Sequence, residues 1–229
     1  MLTHYEREIE LLKRRLTEQL DRVHTNARAV LTLPLAGAGG GLAETYIDDA
    51  ALDASEVEIE EDCLKIIALH QPVADHLRFL ITVIKANYDL ERIGDLLESI
   101  RKLKVDPYAV DKELGGAPGE PASLFLLVLR AVEEAVDCLR SPDAERAREL
   151  WRNDQAIDVK AKALVLRIRQ RLVDRAATPG LLDALLAVRS AERIADNAAN
   201  IAKEVLYLST GEIVRHRKRQ VLGLGDKPV

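Results

Sequence analysis

The chain has 229 residues, 31% of them charged and only 3% aromatic, and a formal net charge of −5. That length allows one large domain or two small ones, and so few rings among so many helix formers point to helices packed on aliphatic side chains. The acidic balance excludes the basic footprint of a general nucleic-acid binder, and two distant cysteines, Cys63 and Cys138, exclude a disulfide framework or zinc finger and read as buried free thiols.

The opening residues, MLTHYEREIELLKRR, carry no apolar signal-peptide core. No apolar run nears the roughly 20 residues of a bilayer span; the longest, Leu124 to Leu129, is short. The chain therefore reads as soluble and cytoplasmic. Residues 4–33 predict a helix, with Tyr5, Ile9, Leu12, Leu16, Leu20 and Val23 recurring at three and four. Pro34 and the four glycines of 37–41 predict its stop and a loop. A second, strongly acidic helix follows from about 42 to 69. His70-Gln71-Pro72 ends it, because a residue before proline leaves the α region. A third helix is expected to start at Pro72 and to bury Val83, Ala86, Leu90, Ile93, Leu97 and Ile100. Glu91, Asp95 and Glu98 then fall on its polar arc.

Residues 105–121 hold three prolines and three glycines, the pattern of a linker and domain boundary. A fourth helix runs over 122–140. Ser141 reads as the N-cap of a fifth, with Pro142 in its first turn, reaching about 176. Thr178 reads as the N-cap of a sixth, which Gly211 ends. A basic tail with Arg215, His216, Arg217, Lys218 and Arg219 closes the chain. The expected division is residues 1–104, a linker 105–121, 122–211 and a tail 212–229, all helical, with three helices on each side of the linker.

One motif is written twice. Glu91-Arg92-Ile93-Gly94-Asp95 has a counterpart at Glu192-Arg193-Ile194-Ala195-Asp196, each on the third helix of its half. A second pair of acids lies upstream in each half: Asp49 with Asp53, and Asp154 with Asp158. Folding the second and third helices into an antiparallel hairpin sets Asp53 and Asp49 level with positions 90 to 94. The same folding in the second half sets Asp158 and Asp154 near 192 to 200. Residues four apart share a helix face about 6 Å apart along the axis, so each half would gather four carboxylates. Such groups repel and raise one another's pKa, and hard cations with oxygen ligands relieve that repulsion. A solvated acidic face is the plain alternative.

At this point the chain resembles the PhoU family of phosphate-uptake regulators. The resemblance rests on Ile59 to Phe79 (IEEDCLKIIALHQPVADHLRF), Asn87 to Asp95 (NYDLERIGD), Asn153 to Asp158 (NDQAID), Ala191 to Asp196 (AERIAD) and Val205 to Gly211 (VLYLSTG). It implies an all-α fold of two tandem three-helix bundles related by pseudo-twofold symmetry. It implies metal sites at Asp49, Asp53, Glu91 and Asp95, and at Asp154, Asp158, Glu192 and Asp196, taking oxygen-ligated divalent or trivalent ions such as iron, manganese, magnesium or zinc. It implies a negative regulator, not an enzyme, that links a phosphate transporter's ATPase subunit to a sensor histidine kinase. A homodimer, no nucleic-acid partner, and membrane association only through partners go with that expectation. The second motif has Ala195 and Ser190 where the first has Gly94 and Asp89, so the first site is expected to be the stronger. A metal-dependent hydrolase or oxygenase on the same carboxylates, or a metal-free scaffold, is the alternative. His4, His24, His70 and His76 are scattered and lack the ExxH pairing of a di-iron centre. His70 and His76 read as solvated or capping residues beside a turn.

Overall fold

In a computed structural model, residues 3–36, 46–47, 49–103, 105, 110, 114, 119–173 and 179–214 are described. Among them are six helices and no strand: α1 (His4–Ala36), α2 (Asp49–His70), α3 (Ala74–Leu103), α4 (Glu120–Arg140), α5 (Ala144–Val173) and α6 (Pro179–Thr210).

The expected apolar stripes form the core. Leu12, Leu16, Leu20 and Val23 of α1 are buried, as are Val83, Ala86, Leu90, Ile93, Leu97 and Ile100 of α3. Thr3 and Glu6 start α1 with a capping box: the Glu6 carboxylate accepts the Thr3 N–H at 2.7 Å, and the Thr3 hydroxyl accepts the Glu6 N–H at 3.2 Å. Asn26, fully buried in α1, clamps the chain ahead of α2. Its amide donates to the Ile47 carbonyl at 3.0 Å and accepts the Ile47 N–H at 2.8 Å. That clamp fixes where α2 enters, and so where Asp53 lies. Asn26→Ala leaves both Ile47 groups without their partner and is expected to cost about 1–3 kcal/mol in chemical unfolding.

Several boundaries differ from expectation. Pro34 falls inside the last turn of α1 instead of stopping it at once; it lacks an N–H that the helix would use, and the helix ends two residues on at Ala36. The described part of α2 begins at Asp49 rather than 42, and residues 37–45 lie outside the described ones. Pro72 is in the α2–α3 connection, not in a first turn, because Gln71 (φ 47°) and Ala74 (φ 50°) turn the chain through the left-handed region. The Gln71 N–H closes α2 on the Ile67 carbonyl at 3.1 Å. Ser141 ends α4 rather than capping α5. Asp143 is the cap, its carboxylate accepting the Arg146 N–H at 2.8 Å. Gly211 ends α6 as expected, at φ 75°, with its N–H on the Tyr207 carbonyl at 2.9 Å. The expected Thr178 cap and the 215–219 basic cluster lie outside the described residues.

Helices α1–α3 pack on one another, as do α4–α6, giving two three-helix bundles. The bundles meet through α3 against α6, the most extensive contact, and α1 against α4. Third helix meets third, and first meets first, which is how a pseudo-twofold axis pairs two copies of one unit. A single apolar cluster runs through both bundles and takes in Val110 and Leu114 from the stretch between them. Helix α3 runs antiparallel to α6. Asn200 donates to Asp89 at 3.1 Å, and Lys85 meets Glu204 at 3.1 Å. In the same register Gly94 and Ala195 fall at one level along the two helices, and both are buried. Each bundle also keeps one free, fully buried thiol, Cys63 in α2 and Cys138 in α4.

Candidate metal centres

The α2/α3 hairpin has the register that its tight turn dictates: Asn87 Nδ2 donates to the Glu56 carbonyl at 2.9 Å. That register brings carboxylate oxygens of Asp53, Glu91 and Asp95 within 4.8 Å of one another. Asp49 opens α2 one turn earlier, and its side chain lies outside the described residues. Glu56, one turn after Asp53, is the residue the motif pairing misses. Its pKa is raised by burial and by Glu60, Asp53 and Asp95. Its place at i+3 from Asp53 was a readable signal. Glu91 carries the strongest effect in the patch. Burial first, then the Asp95 and Glu56 charges, push its carboxyl up to about 7, against a smaller pull from Arg92. Glu98 belongs to a different arrangement. It is buried rather than on an open polar arc, and Arg101 (2.6 and 2.8 Å) and Lys102 (3.1 Å) hold its carboxyl down at about 2.

In the second half Asp154, Asp158 and Asp196 come within 4.8 Å of one another. Burial, then Asp154, Asp158 and Glu192, raise Asp196 to about 6. Two cations already serve this patch. Lys162 lies 3.0 Å from Asp158, and Arg189 lies 2.8 Å from Glu192. Glu192 is therefore turned to its own helix neighbour and does not join the triad, although its charge still bears on Asp196. Of the eight expected ligands, six are brought together as two triads.

Between the bundles lies a cleft of about 760 Å³. Glu56 and Glu60 line it from the first patch, Asp154 and Asp196 from the second, and Lys85, Asp89, Asn200, Lys203 and Glu204 from the α3/α6 seam. Asp89, expected only as a motif neighbour, is a cross-bundle acceptor. Trp151 packs in the core as anticipated and shows one edge to this cleft.

Clustered carboxylates with nitrogen ligands absent from both described triads fit a hard, oxygen-seeking cation. Without one, crowding has a pH signature. Glu91, with an ordinary value of 4.5, and Asp196, with 3.8, bind their protons more tightly folded than unfolded. Their contribution to stability is therefore full below about 4 and is lost as pH rises through about 6 and about 7. In chelator-treated protein the unfolding midpoint is expected to fall across that window, and Glu91→Gln/Asp196→Asn is expected to flatten the fall. A wild-type profile that is flat between pH 5 and about 7 would contradict the crowding.

Comparison with known proteins places the chain in a family. The PhoU domain family matches residues 16–103 and 122–205. The chain is 31% identical over 224 residues to the phosphate-specific transport system accessory protein PhoU homolog 1 of Thermotoga maritima, covering 95% of this chain and 94% of that one. The crystal structure of PhoU from Pseudomonas aeruginosa superposes with a TM-score of 0.79 at 29% identity, over 91% of this chain and 100% of that one. The phosphate transport system regulatory protein PhoU from Streptococcus pneumoniae gives 0.76 at 26%, over 92% and 99%. No helix among the described residues is long and apolar enough to cross a membrane.

Proposed function

Because the chain belongs to the PhoU family, we propose that it is a negative regulator of phosphate uptake and phosphate-starvation signalling. In this reading it acts by docking, not catalysis, in the cytoplasm. It joins the ATPase subunit of a phosphate transporter to a sensor histidine kinase, as a homodimer that reaches the membrane only through its partners. What carries the reading is the end-to-end likeness in sequence and fold to proteins named for phosphate-specific transport.

Asp53, Glu91 and Asp95, with Asp49 at the start of α2, would hold an oxygen-ligated ion such as iron, manganese, magnesium or zinc. Asp154, Asp158 and Asp196 would hold another. A bound ion supplies positive charge where like charges crowd. Each acidic face then becomes a neutral, rigid surface for a partner to cover. The ion pairs of Lys162 with Asp158 and Arg189 with Glu192 make the second face the less demanding of the two.

The direct test is a pull-down from metal-loaded protein with the transporter ATPase and the sensor kinase as separate baits. Capture of both by the wild type, reduced by Asp53→Asn/Glu91→Gln/Asp95→Asn, supports the adaptor. Capture of neither sinks it. Metal-dependent turnover of a phosphoester would favour the hydrolase alternative instead.

A further inference from the structure

At the end of the first bundle, far along α2 from the carboxylate patch, two helices bring together a different set of donors. His4 and Glu8 lie four apart on α1, and His70 is the last residue of α2. His70 Nε2 is 2.6 Å from one Glu8 oxygen, and His4 Nε2 is 3.7 Å from the other. One donor atom from each of the three residues falls within 4.8 Å of the rest. Glu8 is largely buried, and its Oε1 is shut from solvent. Lys65 Nζ lies 2.9 Å from that oxygen. Hydrogen bonds from Lys65 and then His70 hold the Glu8 carboxyl down at about 2, so it stays ionised. Tyr5 packs edge-on between His70 (5.2 Å) and His76 (5.5 Å), fixing the ring of His70. The capping box of Thr3 and Glu6 fixes the helix turn that carries His4.

We propose that His4, Glu8 and His70 form a site for a single zinc-type transition-metal ion, separate in place and in chemistry from the carboxylate patches. Two imidazoles and one carboxylate are a donor set zinc takes with a fourth position left to solvent. Loading requires two changes in the network. The proton between His70 Nε2 and Glu8 leaves to solvent, and the Lys65 ammonium, on an exposed side chain, swings off Glu8. His4, exposed in the first turn, closes onto the ion. The site would pin the start of α1 to the end of α2, next to the strained Gln71–Ala74 connection.

Cobalt(II) is the probe that tells this site from the others, because a four-coordinate, nitrogen-bound cobalt ion absorbs strongly in the visible and an all-oxygen octahedral one does so weakly. Chelator-stripped full-length protein should develop that strong absorption with one equivalent of cobalt, and zinc should abolish it. His4→Ala, an exposed change that leaves the fold intact by circular dichroism, should weaken cobalt binding at least about tenfold. His70→Ala should remove the strong band, and Asp53→Asn/Glu91→Gln/Asp95→Asn should keep it. A wild type without the strong band, a band unchanged in His4→Ala, or one lost with the carboxylate variant overturns the proposal and leaves the adaptor reading untouched.

Discussion

Ile93→Ala is expected to lower stability by about 2–5 kcal/mol, while Glu91→Gln, two residues away in the same motif, lowers it little or raises it in metal-free protein. The two residues look alike in the repeat but lie on opposite sides of α3. Ile93 is fully buried in the continuous core, and its counterpart Ile194 is equally buried. Truncation removes three carbons from a packed interior that relaxes only in part, so the transfer loss and the cavity add. Glu91 is crowded by like charge, and the amide relieves that crowding while keeping the shape. For a chain of this size the isoleucine change should lower the melting temperature by roughly 10 °C. A thermal scan of both variants in chelator decides it. Equal losses would mean that the carboxylate is as structural as the isoleucine.

The second expectation concerns ions. Magnesium at about 100 times its dissociation constant should stabilise the wild type by about 2.7 kcal/mol. The triple change Asp53→Asn/Glu91→Gln/Asp95→Asn should lose most of that gain. The reason is linkage: crowding lowers the stability of the folded, ion-free patch, and the folded chain alone assembles the triad. Magnesium is the useful ion because it is a poor partner for imidazole, so the His4/His70 cluster is silent in this measurement. A triple variant with the full wild-type shift would place the magnesium elsewhere. A wild type with no shift would favour the metal-free scaffold. Raising the pH toward about 7 should strengthen the effect, since Glu91 must give up its proton to serve as a ligand.

Much of this was legible in the chain, and the failures have identifiable causes. The stripes of α1 and α3 follow from spacing alone, because aliphatic residues at three and four have one place to go. The α2/α3 register followed from one tight turn, and the Asn87–Glu56 hydrogen bond falls where that turn puts it. Glu56 was missed because a search for acids at i and i+4 passes over i+3. Glu192 was assigned with the triad because sequence gives levels, not rotamers, and Arg189 at i−3 competes for it. Glu98 was placed among open acids because the helix expected from about 42 hid the part of Tyr46, which lies ahead of α2 with its ring 4.7 Å from the Arg101 guanidinium that Glu98 binds. The small residue of the motif looked like a mark of site quality, whereas at Gly94 and Ala195 alike it is simply buried.

The two buried thiols carry a practical consequence. Cys63 is pushed up to about 12, chiefly by burial, and Cys138 is also raised by burial. A thiol reagent attacks thiolate, so neither should label until its bundle opens. The chain therefore contains one clock in each bundle. Measured peptide by peptide after pulsed alkylation, the two clocks should run at one rate, because a single apolar cluster spans α3 and α6. Saturating magnesium should then slow both, including the one in the bundle that lacks the stronger patch.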